Sequence, residues 1–145
     1  MKVHDLLKKK QGKIVSISSD HTIKQAMESI ITHKIGALPV IDGDELKGII
    51  SERDIFRVAF SKGESGFGIK VNEVMTKNIV IGFLNDDVEN VSALMTQNRF
   101  RHLPIMDNKK LVGIISIGDV VAANVDSLAV ENRYLKDYIA GKYPA

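Results

Sequence analysis

The chain has 145 residues, 44% hydrophobic and 26% charged, with 20 basic against 18 acidic side chains and a net charge of +2. This composition supports a packed core and excludes wholesale disorder, and the near-balanced charge argues against broad nucleic-acid binding. With no cysteine, disulfides, thiolate metal sites and cysteine nucleophiles are excluded and a cytoplasmic address is expected. No apolar run approaches the ~18 residues of a membrane span, and Met1 to Lys10 lacks the apolar stretch of a secretory signal.

In chain order, Ile14-Val15-Ser16-Ile17 reads as a short strand. Ile23, Ala26, Met27, Ile30 and Ile31 follow at the spacing of one helix face. Thr22 and Gln25 supply a capping box before them. Ala37 to Ile41 and Glu45 to Ile50 read as strands joined by an Asp42-Gly43-Asp44 hairpin turn. A helix from Ser51 is expected to bury Ile55, Phe56 and Ala59. Ser61 to Gly68 is Gly/Ser-rich and reads as a loop. Val88, Val91, Leu94 and Met95 then form a second helical stripe. His102 opens a strand running to Met106, the turn Asp107-Asn108-Lys109 follows, and Lys110 to Ile115 is the last strand. Val125, Leu128, Leu135 and Ile139 predict a C-terminal helix stopped near Gly141. Such a helix would clasp its own module or a dimer mate.

The chain repeats itself. A shift of 65 positions superimposes Leu38, Pro39, Asp42, Leu46, Gly48, Ile49, Ile50, Ser51 and Asp54 on identical residues, nine matches in 17 positions, where chance gives about one. Val3 to Leu7 resembles Val71 to Met75 after a three-residue slip. A unit of some 60 residues buries only a marginal core, so the two copies are expected to pack together. The predicted organisation is a first repeat over 1–62, a linker over 63–70, a second repeat over 71–125 and a C-terminal helix and tail over 126–145. The fold class is α/β (α+β), two β-α-β-β-α repeats related by a pseudo-twofold axis.

Two features recur in both copies. Pro39 and Pro104 sit early in a strand, where a missing ladder donor suits an edge or a bulge. Their recurrence points to a free face there, suited to a ligand, with both prolines lining equivalent clefts. Gly48-Ile49-Ile50-Ser51-Glu52-Arg53-Asp54 and Gly113-Ile114-Ile115-Ser116-Ile117-Gly118-Asp119 carry a strand into a helix. Ser and Asp three apart make a capping box. The same geometry offers a helix N-terminus to a phosphate and a carboxylate to a ribose diol. The two readings are compatible.

On these motifs the sequence resembles a tandem pair of CBS domains, named after cystathionine β-synthase, often called a Bateman module. Similarity spans roughly residues 3 to 125. The resemblance implies two clefts between the repeats, each able to hold an adenosine-containing ligand: AMP, ADP, ATP, NAD or S-adenosylmethionine. It also implies a disc-like homodimer and a regulatory role.

Carried onto this chain, one cleft combines Ile79, Phe100, Arg101 and His102 with Ser51, Arg53 and Asp54. The other combines Ile14, Ile35, Gly36 and Ala37 with Ser116 and Asp119. The first offers an aromatic ring and three cations; the second, with fewer charges, is expected to stay empty or take a less charged ligand. No catalytic or metal site is expected: the four histidines lack ligand spacing, and no phosphate-binding loop or nucleophile motif is present. The expected protein is a stand-alone, non-enzymatic sensor of energy or cofactor state acting on an unknown regulated partner, without nucleic acid or membrane. The competing reading is a structural or interaction protein with vestigial clefts.

Overall fold

The computed structural model describes residues 1–10 and 12–124. The predicted C-terminal helix lies outside the described residues. The elements are α1 (Val3–Lys9), α2 (Ile23–His33), β1 (Ala37–Asp42), β2 (Glu45–Ser51), α3 (Glu52–Lys62), a 3-10 turn (Gly63–Gly68), α4 (Val71–Val74), β3 (Gly82–Phe83), α5 (Val88–Asn98), β4 (His102–Asp107), β5 (Lys110–Ser116) and α6 (Ile117–Ala123).

Each repeat is built on an antiparallel hairpin with the same register. Ala37 faces Ser51 and Leu38 faces Ile50 in one; His102 faces Ser116 and Leu103 faces Ile115 in the other. The register slips at the same point in both, between Val40 and Ile41 and between Ile105 and Met106. Leu38, Ile50, Leu103 and Ile115 are completely buried, each stabilising the fold by about 1.5–3 kcal/mol relative to exposure.

The expected strand at residues 14–17 shrinks to one bridge, Ile17 with Val40. The reason is Pro39. Ile17 N–H donates to Pro39 O at 3.0 Å and Ile41 N–H to Ile17 O at 2.9 Å. The next parallel rung towards the N-terminus needs an N–H from residue 39, which proline lacks. In the second repeat β3 likewise starts at Gly82, paired with Ile105, and Pro104 removes the rung before it. The prolines therefore release the chain ahead of each first strand.

The repeats exchange their leading helices. Val3 and Leu6 of α1 pack in the core of the second repeat, with Val88, Met95 and Leu103. Val71 of α4 packs in the core of the first, with Ile23, Leu38 and Ile50. Backbone hydrogen bonds secure both: Val3 N–H to Asp86 O at 2.9 Å, and Val71 N–H to His21 O at 2.7 Å. Neither repeat has a complete core without the other.

Further expectations need correction: Ile31, on the expected face of α2, is exposed to solvent. Phe56 is 74% exposed, whereas Asp54, Ile55 and Val58 form the buried face of α3; a residue next to Ile55 is turned about 100° around the helix. Ala59 is half-buried. The Gly/Ser-rich segment is an ordered 3-10 turn, because Phe67 and Ile69 pack against the first core.

Candidate functional site: two clefts between the repeats

Two cavities lie where the repeats meet. Cleft 1 has a volume of about 640 Å³ and cleft 2 about 470 Å³, both within the ordinary range for small-ligand sites. All seven residues expected for the first cleft line cleft 1: Ser51, Arg53, Asp54, Ile79, Phe100, Arg101 and His102. All six expected for the other line cleft 2: Ile14, Ile35, Gly36, Ala37, Ser116 and Asp119. The segments released by the prolines supply Ile79 and Val80 to cleft 1, and Ile14 and Val15 to cleft 2. Pro104 lines cleft 1, but Pro39 is not among the residues lining cleft 2.

The strand-to-helix turns are complete capping boxes. Ser51 Oγ accepts from Asp54 N–H at 3.3 Å, while Ser51 N–H donates to Asp54 Oδ2 at 2.9 Å. Ser116 and Asp119 do the same at 3.1 and 2.8 Å. Glu52 N–H is already taken by Gly36 O at 3.0 Å, and Ile117 N–H by Arg101 O at 2.8 Å. With these N–H groups engaged, the helix N-termini offer a phosphate less than the sequence suggests. The charge comes from side chains instead.

In cleft 1 those are Arg53, Arg57, Arg99 and Arg101, against Glu52 and Asp54. Phe100 packs its ring against the second core while lining the cleft. Asp54 is buried and receives Thr76 Oγ1–H on Oδ1 at 3.3 Å. Gly48 makes this approach possible: a Cβ there would lie 2.6 Å from Thr76 O. Cleft 2 has fewer charged side chains than cleft 1, but Lys10, Lys13 and Lys34 line it with Asp119, cations that the sequence did not indicate. Partial burial opposes ionisation of Asp119. Hydrogen bonds from Lys10 and the Ser116 backbone outweigh it and hold the carboxyl below its ordinary value.

Sequence reasoning missed Lys34 and Arg99. Each caps a helix C-terminus in the left-handed region, at φ 54° and 57°, where glycine is usual. The strained backbone places a cation on each cleft, at matching positions of the two repeats. Their signal was a C-cap without glycine in both copies. Thr76, Arg57 and Lys10 gave no comparable signal, since none falls in the repeated motif.

Gly36 and His102 line both cavities. The imidazole lies 3.2 Å from where a Cβ on Gly36 would sit, so a side chain at 36 would crowd it. Burial pushes His102 below its ordinary value; Lys10 and Arg101 add to this, and Glu52 and Asp119 oppose it.

Among the described residues no group of three or more His, Asp or Glu side chains could hold a metal ion, and no helix is long and apolar enough to cross a membrane. The chain is similar to the CBS domain-containing protein CBSX3, mitochondrial, of Arabidopsis thaliana: 35% identity over 150 residues, covering 97% of this chain and 73% of that protein. The crystal structure of the CBS-domain containing protein ATU1752 from Agrobacterium tumefaciens superimposes with a TM-score of 0.82 at 38% identity, over 86% of this chain and 99% of that one. The structure of CBSX2 in complex with AMP superimposes with a TM-score of 0.73 at 25% identity, over 86% and 96%. The family model for the CBS domain matches residues 3–61 and again 71–126. With its doubled motif, exchanged helices and paired clefts, this chain belongs to the CBS-domain family, as a tandem pair.

Proposed function

We propose that the protein is a regulatory module that binds an adenosine-containing ligand, AMP, ADP, ATP or NAD, in the clefts between its repeats, with cleft 1 the tighter site. The observation that carries this is cleft 1 itself. Asp54 stands there at the head of α3, available to a ribose diol. Phe100 offers a ring face to a base, and four arginines surround the cavity for phosphate. The AMP complex of the similar protein CBSX2 supports the choice of ligand class.

The module performs no chemistry in this reading. Ligand contacts residues of both repeats, so it favours whichever arrangement of the repeats it binds better. That arrangement is passed to a partner protein. Repeat 1 spans 1–62 and repeat 2 71–125, and a chain without cysteine suits the cytoplasm. Homodimerisation is part of the proposal. Ile31, Phe56 and Phe60 are 73%, 74% and 89% exposed on α2 and α3, and exposed apolar surface of this kind marks interaction sites. In sedimentation, Phe60→Glu should shift a dimer towards monomer; a wild type that stays monomeric at high concentration contradicts this part.

Calorimetry against AMP, ADP, ATP, NAD and S-adenosylmethionine, with mass spectrometry of ligands that co-purify natively, tests the function. Saturable binding of at least one supports it. No binding and no co-purifying nucleotide would leave a structural or interaction protein with vestigial clefts.

A further inference from the structure

The carboxylates of the two clefts have different companions. In cleft 1 the segment after α4 passes beside β2. Thr76 and Ile49 exchange backbone hydrogen bonds at 2.9 and 3.0 Å, and the Thr76 hydroxyl reaches Asp54. In cleft 2 the segment after α1 presents Lys10 at the matching place. Its ammonium donates to Ile114 O at 2.6 Å and to Asp119 Oδ2 at 2.8 Å. Ile114 and Asp119 are the repeat-2 counterparts of Ile49 and Asp54. A neutral hydroxyl in one cleft is thus replaced by a cation in the other. The Lys10 and Asp119 side chains are 41% and 24% exposed, so the pair lies at the cavity surface, open to exchange.

We infer that Lys10 selects the ligands of cleft 2, admitting nucleotides that carry a phosphate and refusing the neutral nucleoside. The inference rests on the reading of Asp54 and Asp119 as ribose-binding. A diol entering cleft 2 competes with an ammonium for Asp119, and the ammonium adds the attraction of its full charge to the hydrogen bond, which a neutral hydroxyl cannot. Adenosine brings no anion to receive the displaced ammonium. A phosphate does: Lys10 turns to it on a flexible four-carbon stem and leaves Asp119 to the ribose. Lys13 and Lys34 line the same cavity and add to the attraction. At cleft 1 the diol displaces only a neutral donor, the Thr76 hydroxyl, which can rotate away without needing an anion to receive it. Adenosine therefore fills one cleft of the chain and AMP fills both.

The test is calorimetry of adenosine and AMP on the full chain, on Asp54→Ala, which leaves cleft 2 to be read alone, and on Asp54→Ala carrying Lys10→Thr or Lys10→Arg. Asp54→Asn, which keeps an oxygen for the α3 cap, replaces Asp54→Ala if the alanine variant does not fold. Asp54→Ala should bind AMP and bind adenosine at least tenfold more weakly. Adding Lys10→Thr should raise adenosine affinity at least tenfold and lower that for AMP, while Lys10→Arg should keep the discrimination. Equal affinities with Lys10 present, or no gain of adenosine binding with Lys10→Thr, overturn the inference. So does AMP binding to the wild type but not to Asp54→Ala, which leaves the reading of cleft 1 standing. A wild type that binds neither ligand overturns the reading of the clefts itself.

Discussion

Cleft 1 draws its positive charge from arginines and cleft 2 from lysines. The guanidinium is a planar fork that grips phosphate through two hydrogen bonds and stacks on flat rings; the ammonium is a mobile point charge. Phe100 lines cleft 1 at the position where Ile35 lines cleft 2. Asp54 is accompanied by a hydroxyl and Asp119 by an ammonium. The backbone that holds these groups is the same in both halves, down to the register slip in each hairpin. Duplication supplied two equivalent frames. In the proposed reading, a few side chains outside the repeated motif make one a ready nucleotide site and the other a conditional one.

The comparison breaks first at the carboxylates. Asp54→Ala removes a hydrogen-bonded charge from the site proposed to be tighter. At about 1.5–3 kcal/mol for a hydrogen bond to a charged group, AMP affinity should fall roughly 10- to 150-fold. Asp119→Ala should leave that tighter site intact. A calorimetric series showing the reverse would exchange the roles of the clefts.

The glycines of the repeated motif come next. A Cβ on Gly48 would lie 2.6 Å from the Thr76 carbonyl oxygen, whereas one on Gly113 would lie 2.7 Å from a methyl of Leu7. Backbone cannot step aside, but the end of a leucine can turn. Gly48→Ala should lower unfolding free energy by about 1–3 kcal/mol and disturb cleft 1, and Gly113→Ala should cost less. Denaturant unfolding of both variants decides it, and equal losses would contradict the difference.

Arg101→Ala should weaken AMP about fivefold, from ~1 kcal/mol for an exposed ionic contact. It should leave adenosine almost unchanged, with the loss shrinking at high salt. An equal loss for adenosine would mean that Arg101 shapes the cleft rather than binding phosphate.

The smallest effect concerns the wall that the clefts share. Burial holds His102 below the ordinary value of 6.5. Below about pH 6.5 the unfolded chain takes up a proton that the folded chain resists, so stability falls on acidification until the folded value is passed. His102→Gln should flatten that limb in denaturation midpoints collected between pH 5 and 8. An unchanged slope would place the titration elsewhere. Asp119 acts in the same direction in a more acid window: its contribution is complete above its ordinary value of 3.8 and is lost as the pH falls below that.

Much of this was legible in the sequence because the repeat is strict where the backbone is demanding. The hairpins, the Ser-x-x-Asp caps and the α2 capping box depend on neighbouring residues, and the family resemblance named thirteen residues that line the two cavities, though not Lys10, Lys34, Arg57, Thr76 or Arg99. The first strand was overread because apolar alternation at 14–17 says nothing of which partner can donate; Pro39 decides that from another strand. Apolarity alone does not fix the angle of Phe56 around α3, which turns it to solvent beside the buried Ile55. The exchange of α1 and α4, and with it Lys10 and Thr76, is tertiary: nothing near residue 10 announces that it will meet residue 119.

The central claim is that an adenosine ligand binds between the repeats with cleft 1 the preferred seat. A crystal structure grown with AMP below saturation of the weaker site tests it most directly. The account predicts AMP in cleft 1, its ribose hydroxyls within hydrogen-bond distance of the Asp54 carboxylate and its phosphate among Arg53, Arg99 and Arg101. AMP in cleft 2 alone, or both clefts empty at saturating AMP, would contradict it.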